Sequence, residues 1–174
     1  MPDQTVAGGQ SAITLRGWLQ EHGGFLHPEI NISLDASYGW HWKAASDLAQ
    51  GTPLCTVPHS LTLSYINALV DDKWPVFKSN RTKLKIENIG FWYLTVQYVN
   101  RRTSFWKPYF DCLPKPEDGH SAPLFCDSDE DFAWLDSTDV SHSATQRKAI
   151  YKQYYDDGIS VLGKAGVDTA PYTW

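Results

Sequence analysis

Cysteine is scarce in this sequence, and the patterns that mark metal centres and disulfide frameworks are missing. Its 174 residues include three cysteines, Cys55, Cys112 and Cys126, an odd number without CxxC spacing. This usage argues against a disulfide framework or a zinc site and favours a reducing compartment. Six histidines are present, but no two have the HExxH spacing of a common metal motif, so we predict no metal site.

Long apolar runs and nucleotide-binding signatures are also missing. No run of about 18 apolar residues occurs, and Met1 to Gln10 has neither the basic nor the apolar part of a signal peptide, so we expect no membrane partner. GxSxG, Walker and GxGxxG patterns are absent, which leaves hydrolase, phosphate-loop and dinucleotide-binding functions without support. The net charge of −5 and the pI of about 5.6 argue against nucleic-acid binding.

Aromatic and other apolar side chains are plentiful. Aromatics make up 14% of the residues and hydrophobics 42%, a composition typical of globular proteins. The length fits one domain by the usual prior of about 100–200 residues.

The periodicity of apolar residues predicts an α+β fold, with a small β meander followed by a mostly helical second half. Residues 1–10 are predicted to be a disordered tail. Asn31 and Ser33 alternate with apolar neighbours, which is the pattern of a half-buried strand. The predicted elements are a helix capped by Ser11 and ended by Gly23 and Gly24, strands at 30–34, 40–44 and 54–57, a short helix after Ser60, a loop over 71–82, a helix from Lys83 to about Arg102, a helix after Ser128, and a helix starting near Ser141 or Ser143.

Two aromatic groups stand out for their positions. Phe105, Trp106 and Tyr109 follow the long predicted helix and should be buried at a helix–turn junction, where Pro108 biases Lys107 away from helix. Trp40 and Trp42 alternate on a predicted strand and therefore share a face. Both core packing and a ligand-facing role are compatible with that pair.

Several short motifs follow one another in a definite order. They are Trp-Leu-Gln-Glu-His-Gly-Gly at 18–24, Tyr-Gly-Trp-His-Trp-Lys-Ala at 38–44 with Asp47, Leu48 and Gly51 after it, Val-Pro-His-Ser-Leu at 57–61, Ser-Phe-Trp-x-Pro-Tyr-x-x-x-Leu-Pro at 104–114, Pro-Leu-Phe at 123–125, and Trp-Leu-x-x-Thr at 134–138. This ordered series resembles the Rubisco large-subunit methyltransferase-like group of SET-domain protein-lysine N-methyltransferases.

The resemblance implies a fold, a cofactor and a partner. Residues 11–82 would form the N-terminal part of a SET domain and residues 83–174 its helical insert. S-adenosyl-L-methionine would be the cofactor, with the backbone turn at Tyr38, Gly39 and Trp40 against it, while His41 stands where the family has a second glycine. The partner would be a protein substrate with a target lysine, in the cytoplasm or the nucleus.

The sequence also departs from the family pattern. It contains no Asn-His dipeptide and no matching C-terminal tyrosine block, so no catalytic residue is assigned. Tyr172, Thr173 and Trp174 resemble the point where the family re-enters the SET core. One hypothesis is therefore an incomplete, inactive part of a methyltransferase. The other is a non-catalytic protein-binding module derived from a SET domain, and the status of the chain as an enzyme stays open between them.

Overall fold

The computed structural model describes residues 4–35, 39–113 and 129–174, without the side chains of residues 4–8 and 131. The fold mixes helices with two small two-stranded antiparallel sheets, which confirms the predicted α+β class. The helices are α1 (Gln4–Glu21), α2 (Tyr65–Val70), α3 (Pro75–Ser79), α4 (Ile86–Val99), α5 (Lys107–Phe110), α6 (Asp129–Ala133) and α7 (Asp139–Lys164), with a 3-10 turn at His59–Leu61; the strands are β1 (Phe25–Leu26), β2 (Ile30–Asp35), β3 (Gly39–Ala44) and β4 (Cys55–Thr56).

The described residues form two compact units. The first comes from Met1–Asn67 and Val96–Leu113, and the second from Ala68–Thr95 and Pro114–Trp174. In neither unit does a described helix combine the length and the apolar composition needed to cross a membrane. The predicted division of the chain at residue 82 stays a prediction.

Helix α1 of the first unit begins earlier than its predicted N-cap. It starts at Gln4, so residues 4–10 are helical and the predicted tail is wrong for that range. No proline lies between Gln4 and Ser11, and each added residue contributes a backbone hydrogen bond once the helix is nucleated. At the other end Gly23 has a φ of +81°, and the amide of Gly24 donates to the Leu19 carbonyl at 2.8 Å. This left-handed glycine closes the helix as the sequence predicted.

The strands of the first unit pair differently from the predicted meander. β2 and β3 form the expected antiparallel hairpin, with Ile32 opposite Trp42. The third predicted strand is shorter, and as β4 it pairs with β1 rather than with β3, so the meander is wrong. The reason lies at the end of α1, where the Gly23 turn reverses the chain and brings β1 alongside β4. Leu26 of β1 is buried in a core with Leu19, Ile30 and Leu61.

Residues 104–113 form a short helix instead of a simple turn. Lys107, expected to be non-helical, is the first residue of α5, and Pro108 follows it in the first helical turn, where its missing N–H is not needed. Trp106 and Phe110, four residues apart, therefore face the same way and are buried. Phe105 and Tyr109 are 42% and 39% exposed, so their predicted burial is wrong.

The second unit contains helices that the sequence placed only in part. The predicted loop over 71–82 contains α3, which starts at Pro75 and buries Phe77 against the edge of Tyr93, with ring centroids 5.9 Å apart. Helix α7 begins at Asp139 because Thr138, and not a later serine, is the N-cap: its hydroxyl accepts the amide of Ser141 at 3.2 Å.

Helices α4 and α7 meet through one large and one very small residue. The indole of Trp92 on α4 lies directly over Gly158 of α7, where a Cβ atom would be 1.6 Å from Nε1. The Nε1 group donates to the Tyr154 carbonyl at 2.9 Å, and the ring stacks on Tyr155 at 6.0 Å. The core of the second unit thus depends on glycine at position 158.

Candidate functional site

The β2–β3 hairpin carries the residues that the sequence predicts to bind a cofactor. Gly39 opens β3 opposite Asp35, with a φ of +66° in the left-handed region that favours glycine. Among the described residues, and leaving aside those next to Gly39 in the chain, no atom lies within 4 Å of the position that a Cβ would take there. Tyr38, the first predicted site residue, lies outside the described residues.

Trp40 and Trp42 share one face of the hairpin, as predicted. Trp40 stands opposite Leu34, and Trp42 stands opposite Ile32. The same face begins at Ile30, which is 3% exposed and packs in the core. On β3 this face is less buried: Trp42, opposite the neighbouring Ile32, is 52% exposed, and Trp40, farther from Ile30, is half-buried. Trp42 is therefore not a core residue, and a ligand-facing role stays a prediction.

His41 stands in ordinary strand conformation, where a second glycine was expected from the resemblance. It pairs with Ser33 in the β2–β3 register, and its φ is not in the left-handed region. Its Nδ1 lies 3.1 Å from the Gly39 carbonyl, so a hydrogen bond there requires the tautomer with the proton on Nδ1. The backbone at this position thus does not require glycine, and the histidine fits it without strain.

Three of the motif segments come together in the first unit. The indole Nε1 of Trp106 donates to the Leu61 carbonyl at 3.1 Å, which ties the segment at 104–113 to the segment at 57–61. Phe105 contacts the rings of Trp18 and His22, with centroids 5.3 and 4.9 Å apart, which ties it to α1. These contacts surround the core beneath the hairpin.

The other two motifs lie elsewhere in the chain. The Pro-Leu-Phe motif at 123–125 falls outside the described residues. Trp134 is 86% exposed, and Thr138 caps α7.

Neither Cys55 nor Cys112, the two cysteines within the described ranges, has the environment of a reactive thiol. Burial raises the pKa of the Cys55 thiol. At Cys112, burial and, second, the negative charge of Asp111 raise the pKa to about 11. Thiols with raised pKa values carry little thiolate and are poor nucleophiles at neutral pH. Across the described ranges, no group of three His, Cys, Asp or Glu side chains lies close enough to hold a metal ion.

One positioning residue was missed by sequence reasoning. The guanidinium of Arg16 on α1 donates to the carbonyl oxygens of His27 and Ile30, which fixes the start of β2 against the helix. No motif or periodicity marks such an arginine, because its partners are backbone atoms whose position depends on the folded chain.

Comparison with known proteins adds no family to this description. No protein-family model matches the sequence, and no curated protein matches it. What is established is a mixed α+β chain in which an open, glycine-containing hairpin rests on a small apolar core.

Proposed function

We propose that this chain carries the cofactor-facing, N-terminal part of a SET-type protein-lysine N-methyltransferase, with residues 83–174 as its helical insert. The observation that carries the proposal is the backbone of Gly39. The resemblance implies a glycine against the cofactor, and position 39 has a φ of +66° with no atom of the described residues, its chain neighbours aside, within 4 Å of a Cβ. Because glycine has no Cβ atom, a ligand can approach its backbone more closely than that of any other residue.

The packing of the first unit supports the same proposal. The motif segments at 18–24, 57–61 and 104–113 were identified from the sequence as parts of one domain, and their side chains contact one another through Trp18, Phe105, Trp106 and Leu61. Segments that matched the motifs only by chance would not be expected to pack against one another. The hairpin with Gly39 and Trp40 is thereby held on a fixed base.

Residues 39–40 fit one side of a site for S-adenosylmethionine, which would supply an electrophilic methyl group on its sulfonium. Gly39 would offer its backbone and Trp40 a half-buried ring beside it. Methyl transfer needs the lysine amine, the methyl group and the sulfur in line, and positioning provides most of the rate in such reactions. Since the sequence contains no Asn-His dipeptide and no matching tyrosine block, we expect these 174 residues alone not to transfer methyl groups.

A second candidate function is a non-catalytic protein-binding module. The exposed apolar side chains of the first unit favour it, because Phe25 is 42%, Trp42 52% and Val57 50% exposed. Contiguous apolar patches are typical of protein-interaction surfaces, so this candidate requires these side chains to form one patch. This candidate predicts a cooperatively folded chain without affinity for the methyl donor.

The two candidates are separated by isothermal titration with S-adenosylmethionine beside a thermal melt. The test variant is Gly39→Ala, and the matched control is Gly166→Ala, which also has a left-handed φ, +79°, with no atom within 4 Å of a Cβ. Both variants should lose similar stability, since an alanine in this region costs about 1–2 kcal/mol. The methyltransferase proposal expects binding that Gly39→Ala weakens and Gly166→Ala leaves unchanged.

Other outcomes would count against the methyltransferase proposal. A cooperative melt without any binding would favour the binding module. An equal loss of binding in both variants would mean that Gly39 matters only for folding. Detectable methyl transfer to a lysine peptide by the chain alone would refute the expected inactivity.

A further inference from the structure

The strongest local concentration of positive charge lies between α2 and α4. Residues 73–85 contain no aspartate or glutamate, while the rest of the chain has 10 of the 15 basic residues against all 20 acidic residues. The five basic residues of this range, which we term the basic surface, are Lys73, Lys78, Arg81, Lys83 and Lys85. A strongly positive segment in an otherwise acidic chain indicates an electrostatic function, since overall composition does not explain it.

The apolar residues of the same range hold the basic surface in place. Val76, Phe77 and Leu84 are buried, at 7%, 1% and 7% exposure, and all five basic side chains are exposed. The turn after α3 is fixed by Asn80, whose side chain donates to the Val76 carbonyl at 2.9 Å. The Lys83 amide in turn donates to the Asn80 carbonyl at 2.9 Å. The charges therefore project from an anchored backbone, which lowers the entropy lost on binding.

Among the described residues, no side chain of the basic surface forms an ion pair. Within the described ranges the ion pairs are Lys107–Asp111 and Lys152–Asp156, so none of them involves the basic surface. Lys85 lies over the ring of Tyr154, with Nζ 5.8 Å from the centroid, and this contact leaves its charge in place. Five like charges within 13 consecutive residues repel one another until an anion compensates them.

We propose that the basic surface binds a short acidic segment of a partner protein. The positive range is bounded in the sequence by Asp72 and Glu87, both exposed, so an anion that fits it must be short. Duplex nucleic acid carries about one charge per 1.7 Å and continues beyond such a site, as does an anionic membrane surface. Four of the five residues are lysines, which act as point charges and lack the planar fork that arginine uses for bidentate contacts with base edges. This proposal does not depend on the proposed methyltransferase function.

The test is fluorescence anisotropy of a labelled decaglutamate peptide titrated with the full chain. The test variant is Lys78→Glu with Arg81→Glu. Its matched control is Arg147→Glu with Lys148→Glu on α7, which changes the net charge equally at two exposed positions. We expect the test variant to weaken binding about tenfold or more and the control to change it less than about threefold. Binding should also weaken as salt is raised, because the charges are exposed.

A conservative variant guards against a folding artefact. Lys78→Arg with Lys83→Arg keeps both charges and should bind the peptide like the unaltered chain, and a thermal melt of each variant checks that it is folded. Equal losses in the test and control variants would overturn the proposal, because binding would then follow net charge alone. Absence of binding by the unaltered chain, or tighter binding of duplex DNA or phosphatidylserine vesicles than of the peptide, would also overturn it.

Discussion

Replacing Gly158 by alanine tests the packing of α7 on α4 most directly. The new Cβ would lie 1.6 Å from Nε1 and 2.0 Å from Cε2 of Trp92, distances that no pair of non-bonded atoms tolerates. The indole cannot move freely, since it is 4% exposed, is hydrogen-bonded to the Tyr154 carbonyl and contacts Tyr172 edge-on at 5.6 Å. The helices must therefore separate or the indole must leave its site.

The sign of the effect follows from comparing two opposing terms. Alanine in place of glycine stabilises a helix interior by about 1 kcal/mol. Overpacking costs about 1–3 kcal/mol, and loss of the Trp92 hydrogen bond adds about 1 kcal/mol. The clash is severe enough to place the cost at the upper end of its range. We therefore expect Gly158→Ala to lower the free energy of unfolding by about 2–3 kcal/mol.

Urea unfolding followed by far-ultraviolet circular dichroism measures this change. With an m value of about 1–3 kcal/mol/M, the midpoint should fall by roughly 0.7–3 M. The control is Gly163→Ala in the same helix, where a Cβ meets only Thr169 at 3.9 Å, and it should leave the midpoint unchanged or slightly higher. A midpoint of Gly158→Ala at or above that of the unaltered chain would refute the packing argument.

Three further predictions concern single residues of the first unit. Gly39→Ala should lower the free energy of unfolding, measured in urea, by about 1–2 kcal/mol. Gly39→Asn should lower it less, because asparagine tolerates the left-handed region. Equal losses would show that backbone conformation is not the cause. Trp106→Phe should cost about 1–3 kcal/mol, since the buried Leu61 carbonyl loses its donor, and an unchanged midpoint would contradict that hydrogen bond. The pKa of Cys112 is raised from 9.0 to about 11, so this thiol should react with iodoacetamide at pH 8 about a hundredfold more slowly than an ordinary thiol. Mass spectrometry measures the labelling, and urea should restore normal reactivity. Fast labelling of the folded chain would contradict the burial of Cys112.

Sequence periodicity predicted the long regular elements well. The positions of α4, β2 and β3 agree with the predicted elements to within a few residues, because each extends over enough residues for a period to be counted. The third strand illustrates the limit. Its partner β1 has only two residues, too few to show any alternation, and the pairing depends on the reversal at Gly23. Short strands of this kind are defined by the folded chain and not by a local pattern.

Burial in residues 104–113 shows a second limit. The sequence predicted aromatic anchors there, and Trp106 is one of them. The choice between Tyr109 and Phe110 depends on whether the backbone is a turn or a helix, since a helical turn places residues four apart on one face. Pro108 was taken as a sign against helix, although proline is tolerated in the first helical turn.

In the candidate site, the need for glycine at position 39 could be predicted from the sequence, but the exposure of the residues around it could not. The glycine at 39 was singled out from sequence, and its left-handed backbone agrees with the need for glycine. The exposure of Trp42 could not be read from alternation alone, because alternation assigns a face but not what covers that face. Arg16 could not be assigned either, since its hydrogen-bond partners are carbonyl oxygens brought near it only by folding.

The distribution of buried indoles has an optical consequence. Trp92 and Trp106 are both buried, and one belongs to each of the two units. Variants in which all other tryptophans are phenylalanine would therefore emit from a single known unit, and the red shift of that emission would follow the unfolding of the unit that contains it. Within each variant, equal midpoints from the tryptophan emission and from far-ultraviolet circular dichroism would identify one cooperative transition, and unequal midpoints would show that the reporting unit unfolds separately. The chain thus carries its own spectroscopic probe for each half of its structure.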